Sequence, residues 1–140
     1  MRVLLLTNDQ VLSLADMRDC VDEMKEAFVL FGQGKVESPL RTRFAMTDVR
    51  NVLMMPSLIR GDLDTLSLKI VSVYPDVGQG KPSLNASVLL LDGSDGSIRA
   101  LMGGAALTAI RTGAVTGLSC RYLARTDAKA SEGLEKAIER

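Results

Sequence analysis

The spacing of apolar residues changes period twice along the chain, and this constrains the fold more than any other feature. Met17, Cys20, Val21, Met24, Ala27, Phe28 and Phe31 recur at three- and four-residue steps. Such a stripe predicts a helix with one apolar face. Arg18, Asp22, Glu23, Lys25 and Glu26 fall mostly on the other side, Asp16 stands at the N-cap position, and Gly32 and Gly34 follow the end. The Met/Phe stripe is read as core packing rather than as the lining of a cofactor site. Upstream, Thr7 and Gln10 have the spacing of a capping box leading into a short helical turn through Val11, Leu12 and Leu14.

From Pro39 the period becomes two, the repeat of a strand. Leu40, Thr42, Phe44 and Met46 share one face, with Arg41, Arg43 and Ala45 on the other. Val52 to Met55 reads as a second strand stopped by Pro56, and Leu66 to Tyr74 as a third ended by Pro75. Ser83 to Leu91 is a fourth, and Asp92-Gly93-Ser94-Asp95-Gly96 turns the chain into a fifth around Ile98 to Met102. Ala105 to Ala124 is helical again, yet carries Gly113, Ala114, Gly117 and Ser119. Because glycine costs a helix interior about 1 kcal/mol relative to alanine, these small residues predict the close approach of another backbone or a ligand. Residues 130–140 read as a short polar amphipathic helix.

The order helix, strands, helix predicts an α/β (α+β) fold with a mixed, mostly antiparallel sheet and N- and C-terminal helices. At 140 residues the chain is long enough for one core without disulfide or metal staples. Its 17 basic and 17 acidic residues cancel, which argues against nucleic-acid binding by bulk charge. Histidine is absent, which excludes Ser-His-Asp and Cys-His catalysis and histidine-ligated zinc. Cys20 and Cys120 are the only thiols, too few for a four-thiolate zinc site, and both lie in apolar helical contexts expected to be core. No apolar run is long enough to cross a bilayer. The opening apolar run to Leu6 stops at Thr7-Asn8-Asp9, shorter than the core of a signal peptide. These features predict a soluble, cytoplasmic chain with no metal, no membrane contact and no nucleic-acid partner.

Two glycine-rich segments carry little. Gly78-Gln79-Gly80-Lys81-Pro82-Ser83 lacks the leading glycine of a phosphate-binding loop, since Pro75 stands there, and it reads as a turn between strands. No Gly-x-Gly-x-x-Gly occurs, so the dinucleotide fingerprint is missing. The remaining signal is cationic. Lys69 shares a strand face with Val71 and Val73, where a charge is costly without a partner. Arg111 stands among the small residues of the late helix between Thr108 and Thr112, and Arg41, with Arg43 as an alternative, opens the first strand. Guanidinium groups suit bidentate carboxylate recognition. The residues alone leave open whether these cations share an anion site or make separate surface pairs.

Several segments, in matching order and spacing, resemble the ornithine cyclodeaminase/mu-crystallin family. They include Pro39-Leu40-Arg41-Thr42, Leu68-Lys69-Ile70-Val71, Lys81-Pro82-Ser83 and Leu89-Leu90-Leu91-Asp92. The most specific is Leu107-Thr108-Ala109-Ile110-Arg111-Thr112-Gly113-Ala114, followed by Arg121-Tyr122-Leu123-Ala124-Arg125. The resemblance implies that residues 1–128 form a substrate-binding and dimerisation domain, with a barrel-like sheet shared across a homodimer. It also implies that Arg41, Lys69, Arg111 and Thr112 bind the carboxylate and reacting region of a small amino, imino or keto acid. The family's NAD(P) sits in a Rossmann domain that begins just after the Tyr-Leu-Ala-Arg segment. Here the chain instead runs Lys129-Ala130-Ser131-Glu132-Gly133, so residues 129–140 are expected to be a helical tail and no Rossmann domain, cofactor site or acidic catalytic residue is expected. The resulting expectation is a stand-alone carboxylate-binding dimerisation domain, not catalytic by itself. The alternatives are part of an NAD(P)-dependent ornithine cyclodeaminase, ketimine reductase or alanine dehydrogenase, and a purely structural homodimeric module.

Overall fold

A computed structural model describes residues 2–61 and 64–125. The chain-order elements are β1 (Leu4–Leu6), α1 (Asn8–Leu14), α2 (Met17–Gly32), β2 (Val36–Glu37), β3 (Thr42–Ala45), β4 (Asn51–Ile59), β5 (Thr65–Val73), β6 (Leu84–Asp92), β7 (Ile98–Gly103) and α3 (Gly104–Leu123). The expected tail helix at 130–140 lies outside the described residues.

The strands form one mixed sheet in the order β1-β7-β6-β5-β4-β2, with β3 also paired to β4. All pairings are antiparallel except β1 with β7, which is parallel. The expected mostly antiparallel sheet with flanking helices is therefore present. Two short strands were not anticipated. Leu4–Leu6 pairs with Ala100–Met102, far along the chain, and Val36–Glu37 pairs with Leu58–Ile59. A few residues are too short a run to display a period, so only tertiary pairing reveals them.

The expected stop at Pro56 is wrong, because β4 continues through it to Ile59. On its outer side β4 pairs with β3 only from Asn51 to Met54 and with β2 only at Leu58 and Ile59. Pro56 falls in the gap between those pairings, opposite Leu68 of β5 alone. A missing N–H is tolerated where a strand has no neighbour on one side.

Local signals at the helix starts operate as expected. The Thr7 N–H donates to Gln10 Oε1 at 2.9 Å while the Gln10 N–H donates to Thr7 Oγ1 at 3.3 Å, completing the capping box. Asp16 Oδ1 accepts from the N–H groups of Arg18 and Asp19 at 2.8 and 3.2 Å. The segment around Gly80 is a connecting loop, with the Tyr74 N–H donating to the Ser83 carbonyl at 2.7 Å.

The helices gather on one face of the sheet. Val11, Ala106 and Ile110 form one buried cluster with Leu6 and Met102, and Val21, Ala114 and Leu118 form a second with Met17, Cys20 and Met24. The small residues of α3 serve this packing. A Cβ on Gly117 would lie 3.1 Å from Val21 Cγ2, and one on Gly104 would lie 2.8 Å from the Ala86 carbonyl carbon. The close neighbours are therefore α2 and β6.

Only the first half of the α2 stripe is core. Phe28 and Phe31 remain 53% and 61% exposed, contrary to the expectation that the whole stripe packs inside. Phe28 faces Leu118, Tyr122 and Leu123 across an open cleft, and Phe31 lies beside Val36 and Ile59 in another. Both cysteines are free and half-buried. Burial, reinforced by Asp16, Asp19 and Glu23, pushes the Cys20 thiol above its ordinary pKa, which suits a packing role.

On the opposite face of the sheet, alternation places Val52, Met54, Pro56 and Leu58 of β4, Leu66, Leu68 and Ile70 of β5, and Leu89 and Leu91 of β6 side by side. These residues are half-buried, and the buried clusters that hold α1, α2 and α3 lie on the other face. Antiparallel sheets that face water alternate apolar and polar residues, so an apolar outward face is exceptional.

Candidate functional site

Lys69 sits mid-strand on β5, with Met55 of β4 and Val88 of β6 opposite it in register. Directly opposed residues point to the same side of a sheet, and here that is the side under α3. The ammonium reaches that helix: Lys69 Nζ donates to Thr108 Oγ1 at 2.7 Å. Thr108 in turn donates its own hydroxyl to the Gly104 carbonyl at 2.6 Å. The hydroxyl proton is thus committed to the backbone, and the oxygen that faces Lys69 is purely an acceptor.

Burial holds the Lys69 pKa below its ordinary value, and the nearby Arg111 guanidinium lowers it further. Arg111 lies on α3 with its side chain exposed. Lys69 and Arg111 are therefore close enough to feel each other's charge. Among the described residues, neither has an ion-pair partner, whereas Arg50, Arg60, Arg99 and Arg121 are bonded to Asp76, Glu37, Asp92 and Asp22.

Thr112 follows Thr108 by one helical turn and is exposed. Its hydroxyl donates to the Thr108 carbonyl at 2.6 Å, leaving its oxygen free only to accept. Thr116 repeats this back-bond to the Thr112 carbonyl at 3.0 Å. This threonine stripe satisfies its own polar groups along the helix.

Arg41 is exposed and lies one residue before β3, next to Thr42, which is registered with Met54 of β4. Arg43, the alternative, donates from Nε to Asn51 Oδ1 at 2.7 Å and is held at the outer strand pair. The structure therefore couples Lys69, Arg111 and Thr112 through one stretch of α3 and leaves Arg41 at the rim of the sheet. Thr108 was not singled out as a site residue in the sequence. The available signal was its position three residues before Arg111 and four before Thr112, which puts all three near one helix face.

Among the described residues no cluster of His, Cys, Asp and Glu could hold a metal, and no helix is long and apolar enough to cross a membrane.

Comparison with known proteins extends this picture. The pattern of the ornithine cyclodeaminase/mu-crystallin family matches residues 1–131. A Δ1-pyrroline-2-carboxylate reductase of Bacillus cereus is 35% identical over 129 residues, covering 91% of this chain and 39% of the relative. The solved structure of the Thermococcus litoralis Δ1-pyrroline-2-carboxylate reductase, in complex with NADH and L-proline, superposes with a TM-score of 0.79 at 39% identity. That match covers 90% of this chain and 39% of that one. An archaeal alanine dehydrogenase dimer with bound NAD gives a TM-score of 0.82 at 30% identity, covering 92% and 39%. The chain spans about two fifths of the length of these relatives. With the fold and the family pattern in agreement over nearly its whole length, this chain belongs to the ornithine cyclodeaminase/mu-crystallin family.

Proposed function

We propose that residues 1–128 act as the substrate-binding and dimerisation domain of an NAD(P)-dependent reductase system, taking the carboxylate of a small amino, imino or keto acid. Lys69 carries the reading. A half-buried ammonium beside a second cation, with no carboxylate paired to it among the described residues, is an electrostatic debt that an anionic ligand would settle. Arg111 supplies a planar fork for a carboxylate, and Lys69 has two further N–H donors for a second oxygen or an imine region. Arg41, one residue outside the registered pair Thr42 and Met54, is the third cation assigned to the ligand's carboxylate. Thr112 contributes an acceptor oxygen to an amino or imino N–H.

Held between these donors, the substrate would be oriented and its developing negative charge stabilised. Hydride delivery belongs to a nicotinamide, and no residue of this chain is assigned to hold one. The sequence contains no Gly-x-Gly-x-x-Gly, and the described sheet has a single parallel pair. The nucleotide-binding domain is supplied elsewhere, in the same polypeptide or in another. The uncovered apolar face of β4, β5 and β6 supports self-association in which a second copy's sheet completes a barrel-like layer.

Isothermal titration of the 140-residue chain with L-proline, ornithine and a 2-keto acid tests this reading. Weak saturable binding that Arg111→Ala abolishes, with an unchanged melting temperature, is the expected result. Binding of equal strength in the variant would overturn the site.

A further inference from the structure

We infer that Thr108 is a positioning residue for Lys69: its hydroxyl, locked onto the Gly104 carbonyl, is a fixed acceptor that aims the ammonium at Arg111's side of α3 and keeps it charged. Three observations carry this. Lys69 Nζ donates to Thr108 Oγ1 at 2.7 Å, so the side chain is tethered to the helix rather than free to reach solvent. The Thr108 hydroxyl donates at 2.6 Å to the Gly104 carbonyl, which leaves its oxygen lone pairs for the ammonium. Gly104 itself is buried, and a Cβ there would lie 2.8 Å from the Ala86 and Ser87 backbone of β6, so the helix start that holds the Thr108 hydroxyl packs directly on the sheet.

The remaining neighbours of Lys69 offer nothing equivalent. Met55 and Val88, opposite on β4 and β6, are uncharged. Arg111 on α3 opposes the positive charge. On β3, Arg43 is registered with Leu53, a row away from Lys69, and is engaged by Asn51. Arg41 stands just beyond the last registered pair, Thr42 with Met54, and like any guanidinium can only donate. Burial and Arg111 both drive the ammonium toward neutrality, and among the described residues Thr108 is the group that accepts from it. An acceptor bonded to the charged form favours that form. Because one of its three donors is spent on Thr108, Lys69 keeps two for a ligand. The claim rests on the carboxylate site proposed above only where ligand affinity is concerned, since the tethering is a property of the free chain.

The test follows the Lys69 ε-methylene resonance by NMR through an alkaline titration in the wild type, Thr108→Val, Thr108→Ser and Thr116→Val, without ligand. Thr108→Val should lower the Lys69 midpoint by about one pH unit, the equivalent of a tenfold change in the protonation equilibrium, and Thr108→Ser should restore it. Thr116→Val removes a similar back-bond one turn along from Thr112 and should leave the midpoint where it was, which separates tuning of Lys69 from a general loss of helix order. L-proline affinity should fall about tenfold in Thr108→Val and recover in Thr108→Ser. An unmoved midpoint in Thr108→Val, or one that moves equally in Thr116→Val, would overturn the inference. A shifted midpoint in a chain whose wild type binds no carboxylate would sustain the inference and refute the proposed ligand site instead.

Discussion

Asn8 caps a helix that begins nearly a hundred residues after it: its Oδ1 accepts the Ala106 backbone N–H at 3.0 Å. Helix α3 starts at Gly103-Gly104, whose N-cap has no side chain to satisfy the first free N–H groups. The missing cap is therefore provided by the first residue of α1, which is itself set by the Thr7–Gln10 box. One side chain thus ties the opening of the chain to the helix that carries Thr108, Arg111 and Thr112. Asn8→Ala should destabilise the fold by about 1 kcal/mol, the usual value of a lost cap. Chemical denaturation measures this, and Asn8→Asp should retain most of the stability.

Two glycines of α3 should respond in opposite directions to alanine. At Gly113 an added Cβ lies 3.4 Å from the flexible end of Met17, an ordinary contact. Gly113→Ala should raise stability by about 1 kcal/mol through helix propensity. At Gly104 the same Cβ would lie 2.8 Å from the Ala86 and Ser87 backbone. Gly104→Ala should cost about 1–3 kcal/mol, as overpacking does. Thermal melts of the two variants read the contrast directly, and like-signed shifts would contradict the packing described.

Much of this arrangement was legible in the sequence because it follows from short-range patterns. The stripe of α2, the alternation in β5 and β6, both caps and the small-residue helix all repeat within a few residues. What was not legible depends on partners distant in the chain. Leu4–Leu6 becomes a strand only because Ala100–Met102 offers an edge, and Pro56 continues a strand only because β3 and β2 leave a gap beside it. Phe28 and Phe31 fit the core period, yet α2 extends past the part of α3 that covers it. In the site, Lys69 was legible as a costly charge and Arg111 as an arginine among small residues. Thr108 was not singled out, because what distinguishes it is a bond across 39 positions.

Arg50 and Asp76 link the start of β4 to the loop after β5, with Arg50 Nε 2.9 Å from Asp76 Oδ1 and Nη2 2.9 Å from Oδ2. Hydrogen bonding to Arg50 holds the Asp76 carboxyl below its ordinary pKa. A carboxyl more acidic in the folded state binds fewer protons than in the unfolded state over that window, so stability there rises with pH. Its contribution is present above the ordinary carboxylate value, about 3.9, and is lost as pH falls through the lower folded value. Asp76→Asn should therefore have a shallower acid limb than the wild type, the two converging in acid and differing at neutral pH only by the small contribution of an exposed pair. Denaturant midpoints taken from acid to neutral pH check this, and parallel curves would contradict it.

The apolar face of β4, β5 and β6 should be where two copies meet. Leu68, opposite Pro56 and Leu89 at its centre, is the position at which a charge would be least tolerated in an interface and readily solvated in a monomer. Light scattering of the wild type at micromolar concentration should return the mass of two chains. Leu68→Lys should return one, with its circular dichroism retained. A monomeric wild type would remove the self-association reading.

The account turns on an anionic guest meeting the ammonium of Lys69. The most direct measurement is the NMR titration of Lys69 in the presence of saturating L-proline. The account predicts that the Lys69 resonance shifts on addition of ligand while Lys25, Lys35 and Lys81 stay put. It also predicts that the depressed pKa of Lys69 rises as the carboxylate offsets burial and the charge of Arg111. Bound proline with the Lys69 resonance and pKa unchanged would contradict it.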